Sequence, residues 1–327
     1  MGKKIKWGII GPGNIAHTFA QAFAAVEDGE LYAVASRSLE RANEFADTYN
    51  MPKRYGSYEE LAADPEVEAV YIATPHPFHN EYTIMCLNAG KNVLCEKPIA
   101  LNASWAREMF ECARQNKRFL MEAMWTRFLP VYYKVEEWIQ KGLIGDVRIL
   151  TADFGYRETF DTKGLVFDPD LAGGALLDVG IYPVSLASLI FKEAPAHITG
   201  MAHLGETGVD EQSAMILGYD KGQLAILYSA VSTDSKHEAR ILGTKGSIYI
   251  PDFYRASKAV LEIPGEEPRT VEYPHPVKGY CYEIREANRC IKEGKLQNDR
   301  MPWDESVTIM ETMDRIREQW GLKYPME

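Results

Sequence analysis

Lys97 leaves an apolar run, Asn92 to Cys95, between Glu96 and Pro98. A lysine with an acid before it and a proline fixing the turn after it is poorly explained as a solubilising charge. Asp178 and Tyr182 stand four residues apart behind the paired glycines Gly173-Gly174, so a helix would put both on one face. An ammonium beside a phenol favours phenolate and lowers the phenol pKa. Such a tyrosine can pass a proton to a carbonyl oxygen or take one from an alcohol. The chemistry open to these three residue types is proton transfer at a hydroxyl or carbonyl carbon. Taken singly, each has a plainer reading: Lys97 as a surface charge, Asp178 as a helix-start charge, Tyr182 as a core residue with a satisfied hydroxyl.

A second constellation supplies the partner for that chemistry. Gly11-Pro12-Gly13-Asn14-Ile15-Ala16 sits where an apolar strand, Lys6 to Ile10, turns into a helical pattern from Asn14 onward. That context separates a dinucleotide fingerprint from a chance match. Gly11 permits the tight turn, Gly13 lets the backbone approach a pyrophosphate, and the charge meets the positive end of the helix. Ala16 takes the third glycine position, which the motif permits. The next strand, Leu31 to Ala35, ends at Ser36-Arg37, where NAD binders carry an acid. A guanidinium holds a 2′-phosphate that a carboxylate would repel, so NADP is expected over NAD.

These residues need a frame. Strands alternate with helices through the first 120 or so residues, as a parallel sheet with crossover helices requires. Ligands then lie beyond the carboxyl ends of the strands, which singles out Thr74-Pro75-His76 with His79, Glu96-Lys97, and Trp125-Thr126-Arg127. The second half changes period. Val147 to Tyr156, Ser213 to Tyr219, Gln223 to Val231 and Ser247 to Ile250 read as longer strands, and Asp220-Lys221-Gly222 is a hairpin signal. Helices are expected at 131–141, 176–190, 280–293 and 304–320. The expectation is a dinucleotide-binding domain over 1–122 and a substrate and oligomerisation domain over 123–327, with the chemistry in the cleft between them.

Bulk properties narrow the rest. The 327 residues exceed one ordinary core. A net charge of −11 without a basic run disfavours nucleic acid. Five cysteines form no Cys-x-x-Cys pair, which fits reduced thiols and a cytoplasmic protein. The apolar stretch from Ala175 to Phe191 is broken by Asp178 and Pro183, so no membrane partner is expected. His76 and His79 lack a third ligand at convincing spacing, so no metal is expected. Trp125, Phe154 and Tyr156 are candidates for an apolar wall, although such aromatics are more often core.

In these motifs the chain resembles the Gfo/Idh/MocA oxidoreductases over essentially its whole length. Gly11 to Ala16, Thr74-Pro75 with His79, Glu96-Lys97-Pro98, and Gly173-Gly174 with Asp178, Gly180 and Tyr182 fall in family order. Tyr182 stands where many members carry histidine. With Met124-Trp125-Thr126-Arg127-Phe128 and Arg37, it looks most like the branch of dimeric dihydrodiol dehydrogenases and NADP-dependent D-xylose dehydrogenases. The resemblance implies an N-terminal Rossmann sheet and an α+β second domain with a large, mainly antiparallel, open-faced sheet. It also implies hydride transfer to or from a sugar, polyol or cyclic diol, and a homodimer or homotetramer through the open sheet face. Lys97, Tyr182 and Asp178 are then the catalytic set, with Tyr182 as acid/base. Gly11, Gly13, Asn14, Ile15, Ser36, Arg37, Thr74, Pro75, His76, His79, Glu96, Lys97, Trp125 and Arg127 would meet the cofactor. The alternatives are a non-catalytic dinucleotide-binding regulatory protein of the same fold, and a glycosidase using NAD transiently, which Arg37 opposes.

Overall fold

The computed structural model describes residues 3–327. The chain divides into two compact units. The first holds six parallel strands: β1 (Ile5–Ile10), β2 (Gly29–Ala35), β3 (Lys53–Tyr55), β4 (Ala69–Ile72), β5 (Asn92–Glu96) and β6 (Leu120–Ala123). Their order is β3-β2-β1-β4-β5-β6. It reverses between β1 and β4, the switch point beyond which ligands sit in such sheets. Only Lys6 is partly exposed in β1, as befits a strand covered on both faces. The crossovers carry α1 (Asn14–Ala22), α2 (Leu39–Tyr49), α3 (Tyr58–Ala63), α4 (His79–Asn88) and α5 (Ala103–Asn116). Ser38, Ser57 and Asn102 cap α2, α3 and α5 by accepting backbone N–H groups. By contrast α1 starts at Gly13 with no side-chain cap among the described residues.

The second unit opens with α6 (Pro130–Gln140) and β7 (Val147–Gly155). A wide i→i+5 turn, Leu176–Gly180, leads into α7 (Ile181–Phe191). Then follow β8 (His197–Leu204), β9 (Asp210–Gly218), β10 (Leu224–Ala230), β11 (Ala239–Gly243), β12 (Ser247–Ile250), β13 (Lys258–Glu262) and β14 (Arg269–Glu272). They form one sheet, β14-β13-β12-β11-β7-β10-β9-β8, antiparallel except where β10 meets β7. The hairpin between β9 and β10 closes through Tyr219 N–H to Gln223 O, with Gly222 at φ +78°. Every α7 residue but Phe191 is buried. Pro169–Phe191 is long and apolar enough to cross a membrane, yet 89% of its window is buried inside the fold, the signature of a core helix.

The chain then returns to the first unit with α8 (Cys281–Lys292) and the start of α9 (Trp303–Trp320). Pro276–Val307 belongs to the first unit, and Thr126–His275 with Thr308–Glu327 to the second. A single boundary near 122 does not describe this return. The reason is local: Asn288, buried on α8, accepts from Trp7 Nε1 at 2.9 Å and donates to Asp28 at 2.8 Å. Trp303 Nε1 donates to Leu120 O at 2.8 Å. A helical pattern states that an apolar face exists, not which sheet it covers.

Candidate active site

In the first unit, the turn between β1 and α1 is crowded on one side and open on the other. Gly11 has φ +85°, and a Cβ there would lie 2.9 Å from Ala73 O. At Gly13 a Cβ would meet nothing within 4 Å. The uncapped N–H groups of α1 face that space, the arrangement that binds a pyrophosphate. Pro12, Gly13, Asn14, His17 and Arg41 line a groove of about 350 Å³ here. Beside it, Thr74 Oγ1 is buried at the end of β4 with no hydrogen-bond partner among the described residues. The open glycine, the uncapped helix and the orphaned hydroxyl fit a dinucleotide.

At the end of β2, Ser36 is buried and its Oγ accepts Ser38 N–H at 3.3 Å. Arg37 is exposed. Burial raises the Tyr58 phenol pKa, and the charges of Arg37 and Arg41, with a hydrogen bond from Arg37, oppose that rise. Arg41 was not singled out from sequence. The available signal was its i, i+4 spacing from Arg37 across the start of α2.

The Glu96-Lys97-Pro98 turn follows β5, and its Lys97–Pro98 peptide bond is cis. Lys97 is half-buried, and the turn beneath it is gripped from several sides. Glu96 accepts the Tyr71 hydroxyl and, at 3.2 Å, the Lys97 N–H. Burial pushes its pKa up to about 7, against those bonds and the Lys97 charge. Glu122, wholly buried on β6, accepts Ile99 N–H at 3.0 Å and Ser306 Oγ at 2.6 Å. His79 is also fully buried, with Pro98 O 2.8 Å from Nδ1 and Thr74 O 2.9 Å from Nε2. It bridges two loops, both nitrogens facing backbone carbonyls, of which the neutral ring donates to one. Its neighbour His76 lies ring to ring at 5.8 Å. Trp125 is buried and stacked on Tyr280 at 4.4 Å.

In the second unit, Asp178 sits in the wide turn and Tyr182 in the first turn of α7. Tyr156, just past β7, donates its hydroxyl to Asp178 Oδ2 at 2.6 Å. Tyr182 is 8% exposed and lies among aromatics, 5.4 Å from Phe154 and 6.0 Å from Tyr254 between ring centroids. Phe154 in turn touches Tyr254 at 4.2 Å and His237 at 4.7 Å. Arg127 is buried, and its Nε and Nη2 donate to Ser185 Oγ and O at 2.9 and 2.7 Å. Ser185 is one turn past Tyr182, so Arg127 anchors α7 rather than standing open to an anion. Tyr71, Glu122 and Arg41 escaped sequence reasoning. Glu122 had left a trace, as an acid within the apolar run Leu120-Met121-Glu122-Ala123.

This arrangement has known counterparts. An oxidoreductase family with an NAD-binding Rossmann fold (GFO/IDH/MocA) matches residues 5–124, and the GFO/IDH/MocA C-terminal domain matches residues 132–249. A trans-1,2-dihydrobenzene-1,2-diol dehydrogenase from Xenopus laevis is 39% identical, over 98% of this chain and 99% of that protein. A D-xylose 1-dehydrogenase (NADP(+)) from Hypocrea jecorina is 37% identical, over 98% and 93%. A 3-ketoreductase from Actinomadura kijaniata, solved in complex with NADP and TDP-benzene, superposes with a TM-score of 0.88 at 25% identity, covering 97% of this chain and 98% of that one. The chain belongs to the Gfo/Idh/MocA oxidoreductase family.

Proposed function

We propose that this chain is an NADP-dependent oxidoreductase that moves a hydride between nicotinamide and the hydroxyl or carbonyl carbon of a sugar, polyol or cyclic diol. The observation that carries the reaction class is full-length identity of 37–39% to dehydrogenases of a cyclic diol and of an aldose. The preference for NADP rests on Arg37 just past β2, where Ser36 stands instead of an acid, and on Arg41, exposed in the first turn of α2 and lining the groove at Gly13.

The nicotinamide supplies the hydride acceptor or donor when bound. The chain's own groups handle the proton. In the oxidative direction Tyr182 takes the hydroxyl proton as the carbinol hydrogen leaves with its electron pair; in reduction the phenol returns that proton to the carbonyl oxygen. Lys97, the cation that follows β5, is the second group assigned to proton handling. Asp178, oriented by Tyr156, accepts from a second substrate hydroxyl, as both diols and sugars offer. The rings of Phe154 and Tyr254 give the C–H face of the substrate an apolar wall and keep water from the phenol.

The working unit is a homodimer or homotetramer built on the second unit's sheet. Strand register puts Met201, Ala214 and Tyr228 in one row across β8, β9 and β10, and Thr199, Ile216 and Ile226 in the next. Met201 is 81% exposed and Tyr228 47%. So continuous an apolar face on a monomer marks an interaction surface, and a second copy of the chain is its occupant. Five free cysteines fit a reducing compartment, the cytoplasm.

The test is a panel of aldoses, inositols and trans-cyclic diols with NADP+ or NAD+, read by absorbance of the reduced nicotinamide. NADP-linked turnover of one polyol class is expected. Tyr182→Phe and Lys97→Ala should each lower it at least about a hundredfold, Tyr182→Phe with NADPH affinity unchanged and Lys97→Ala with a far smaller loss of affinity than of turnover. Binding of NADPH without turnover of any class would favour a regulatory protein; no binding would remove the whole reading.

A further inference from the structure

The segment that carries Asp178 and Tyr182 is held from outside by two side chains to which the reaction above gives no part. Its first turn, Leu176–Gly180, is of the i→i+5 kind, rare in proteins and common at functional sites. The approach to it is tight. Gly174 has φ +116°, and a Cβ there would lie 2.2 Å from Asp210 Oδ1. A Cβ on Gly173 would lie 2.5 Å from Val166 O. Leu176 N–H is one of the donors that a helix start leaves without an intrahelical acceptor, and it donates to Asp210 Oδ2 at 2.7 Å. The Tyr324 hydroxyl donates to Gly173 O at 2.9 Å. Asp210 and Tyr324 are both buried, and Asp210 Oδ1 has no partner among the described residues.

Tyr324 has its own mount. The Arg317 guanidinium lies 5.2 Å from its ring centroid. Arg317 also pairs with both Glu327 oxygens, at 2.8 and 3.0 Å, and with Asp314 at 2.8 Å. Glu327 in turn accepts Tyr324 N–H at 3.2 Å. A buried ion pair roughly breaks even in stability against apolar packing, so what this one supplies is a fixed pose.

We propose that Asp210 and Tyr324 are positioning residues, which set the pose of Asp178 and Tyr182 by fixing the backbone at Leu176 and Gly173. The proposal rests on the roles given to Asp178 and Tyr182 above. Both bonds end within five residues of Asp178, and an error of about 1 Å in a reacting group can cost a hundredfold in rate. Asp210 adds a dependence on pH. Burial pushes its carboxyl up to about 7, against the bond from Leu176, its own N–H and the Arg317 charge. The groups that face it are Arg317 from α9 and Tyr324 from the segment beyond, with Glu327 and Asp314 bound to Arg317. Above that pH a carboxylate holds Leu176 N–H through a charge-assisted bond, which the neutral acid only weakly replaces.

The test uses the full chain with NADP+ and D-xylose, or whichever polyol of the panel is turned over fastest, and the variants Tyr324→Phe and Asp210→Asn. Tyr324→Phe should lower kcat by about three- to tenfold, the worth of one hydrogen bond, with NADPH affinity unchanged. Hydrogen exchange of the 173–178 amides should quicken while that of α7 does not. Asp210→Asn should lower kcat above pH 7 toward the value the unsubstituted chain has below it. Unchanged kcat and exchange in Tyr324→Phe, or an unchanged kcat above pH 7 in Asp210→Asn, overturns the proposal, as does a joint fall of kcat and NADPH affinity. If the unsubstituted chain turned over no polyol, the reaction assigned to Asp178 and Tyr182 would fall. Exchange at 173–178 would still decide whether Tyr324 holds the turn.

Discussion

The Tyr156 hydroxyl donates to Asp178 Oδ2 across 2.6 Å, joining the end of β7 to the wide turn before α7. Burial, and after it the Asp178 charge, push the Tyr156 phenol well above its ordinary value of 10. It therefore stays a donor at every pH used in an assay. Tyr156→Phe deletes that donor and leaves a carboxylate underserved, a loss of about 1–3 kcal/mol. The loss should fall on substrate KM, raised about tenfold, with the pH dependence of kcat unmoved. Steady-state kinetics of the variant check this, and an unaltered KM would take Asp178 out of substrate contact.

Arg37 and Arg41 lead to a prediction about cofactor choice. A charge-assisted bond to a 2′-phosphate contributes about 1.5–3 kcal/mol. Arg37→Ala and Arg41→Ala should each weaken NADPH binding by about ten- to a hundredfold and leave NADH nearly untouched. Because both guanidiniums are exposed, added salt should weaken NADPH more than NADH. Fluorescence titration of both nucleotides measures this. Equal losses for the two would mean the arginines serve something other than the 2′-phosphate.

The first unit is readable in sequence because its signals are local. The turn from Gly11 to Ala16 is a strand-to-helix junction, and Asp64-Pro65 stands directly after α3. Contacts between distant residues leave no such trace. Tyr324 meets Gly173 across 151 positions, and nothing near Tyr324 announces it. Tyr71 and Glu122 look like strand residues until β4, β5 and β6 lie side by side. The wide turn at Leu176–Gly180 hides because apolar periodicity does not distinguish it from regular helix. Strand β8 carries little sequence signal because its half-exposed and exposed residues lack the apolar alternation of a covered strand. The short strands β3 and β14 are mostly exposed and gave equally little signal.

His79 should make stability depend on pH. Burial lowers its pKa from 6.5 to about 4, despite two carbonyls that favour the charged ring. Between those values the unfolded chain takes up a proton that the folded chain refuses. The contribution is therefore complete above about pH 6.5 and is lost as pH falls through about 4, a change of about 3 kcal/mol. Thermal melts from pH 7 to 4 should show Tm falling less steeply for His79→Gln than for the unsubstituted chain. Parallel slopes would mean that the strap between Thr74 and Pro98 carries no linkage to protonation.

Ile226 tests the assembly. It is 41% exposed, lies beside Ile216 on β9, and faces outward from the sheet with Met201 and Tyr228. Farther along the same face, Arg240 lies over the Tyr249 ring at 4.3 Å and pairs with Glu262 at 3.5 Å, so the apolar part ends near β7. A charge placed at the centre of a buried apolar contact costs several kcal/mol, of the order of 2–7 for a polar group and more for an ion. In a monomer the same charge would stay in water and cost almost nothing. Ile226→Glu should therefore yield a folded chain of unchanged Tm at low concentration that sediments as a monomer. Thr270→Glu on the exposed edge strand β14 should sediment as the unsubstituted protein does. A common sedimentation coefficient for all three would move the interface off this face.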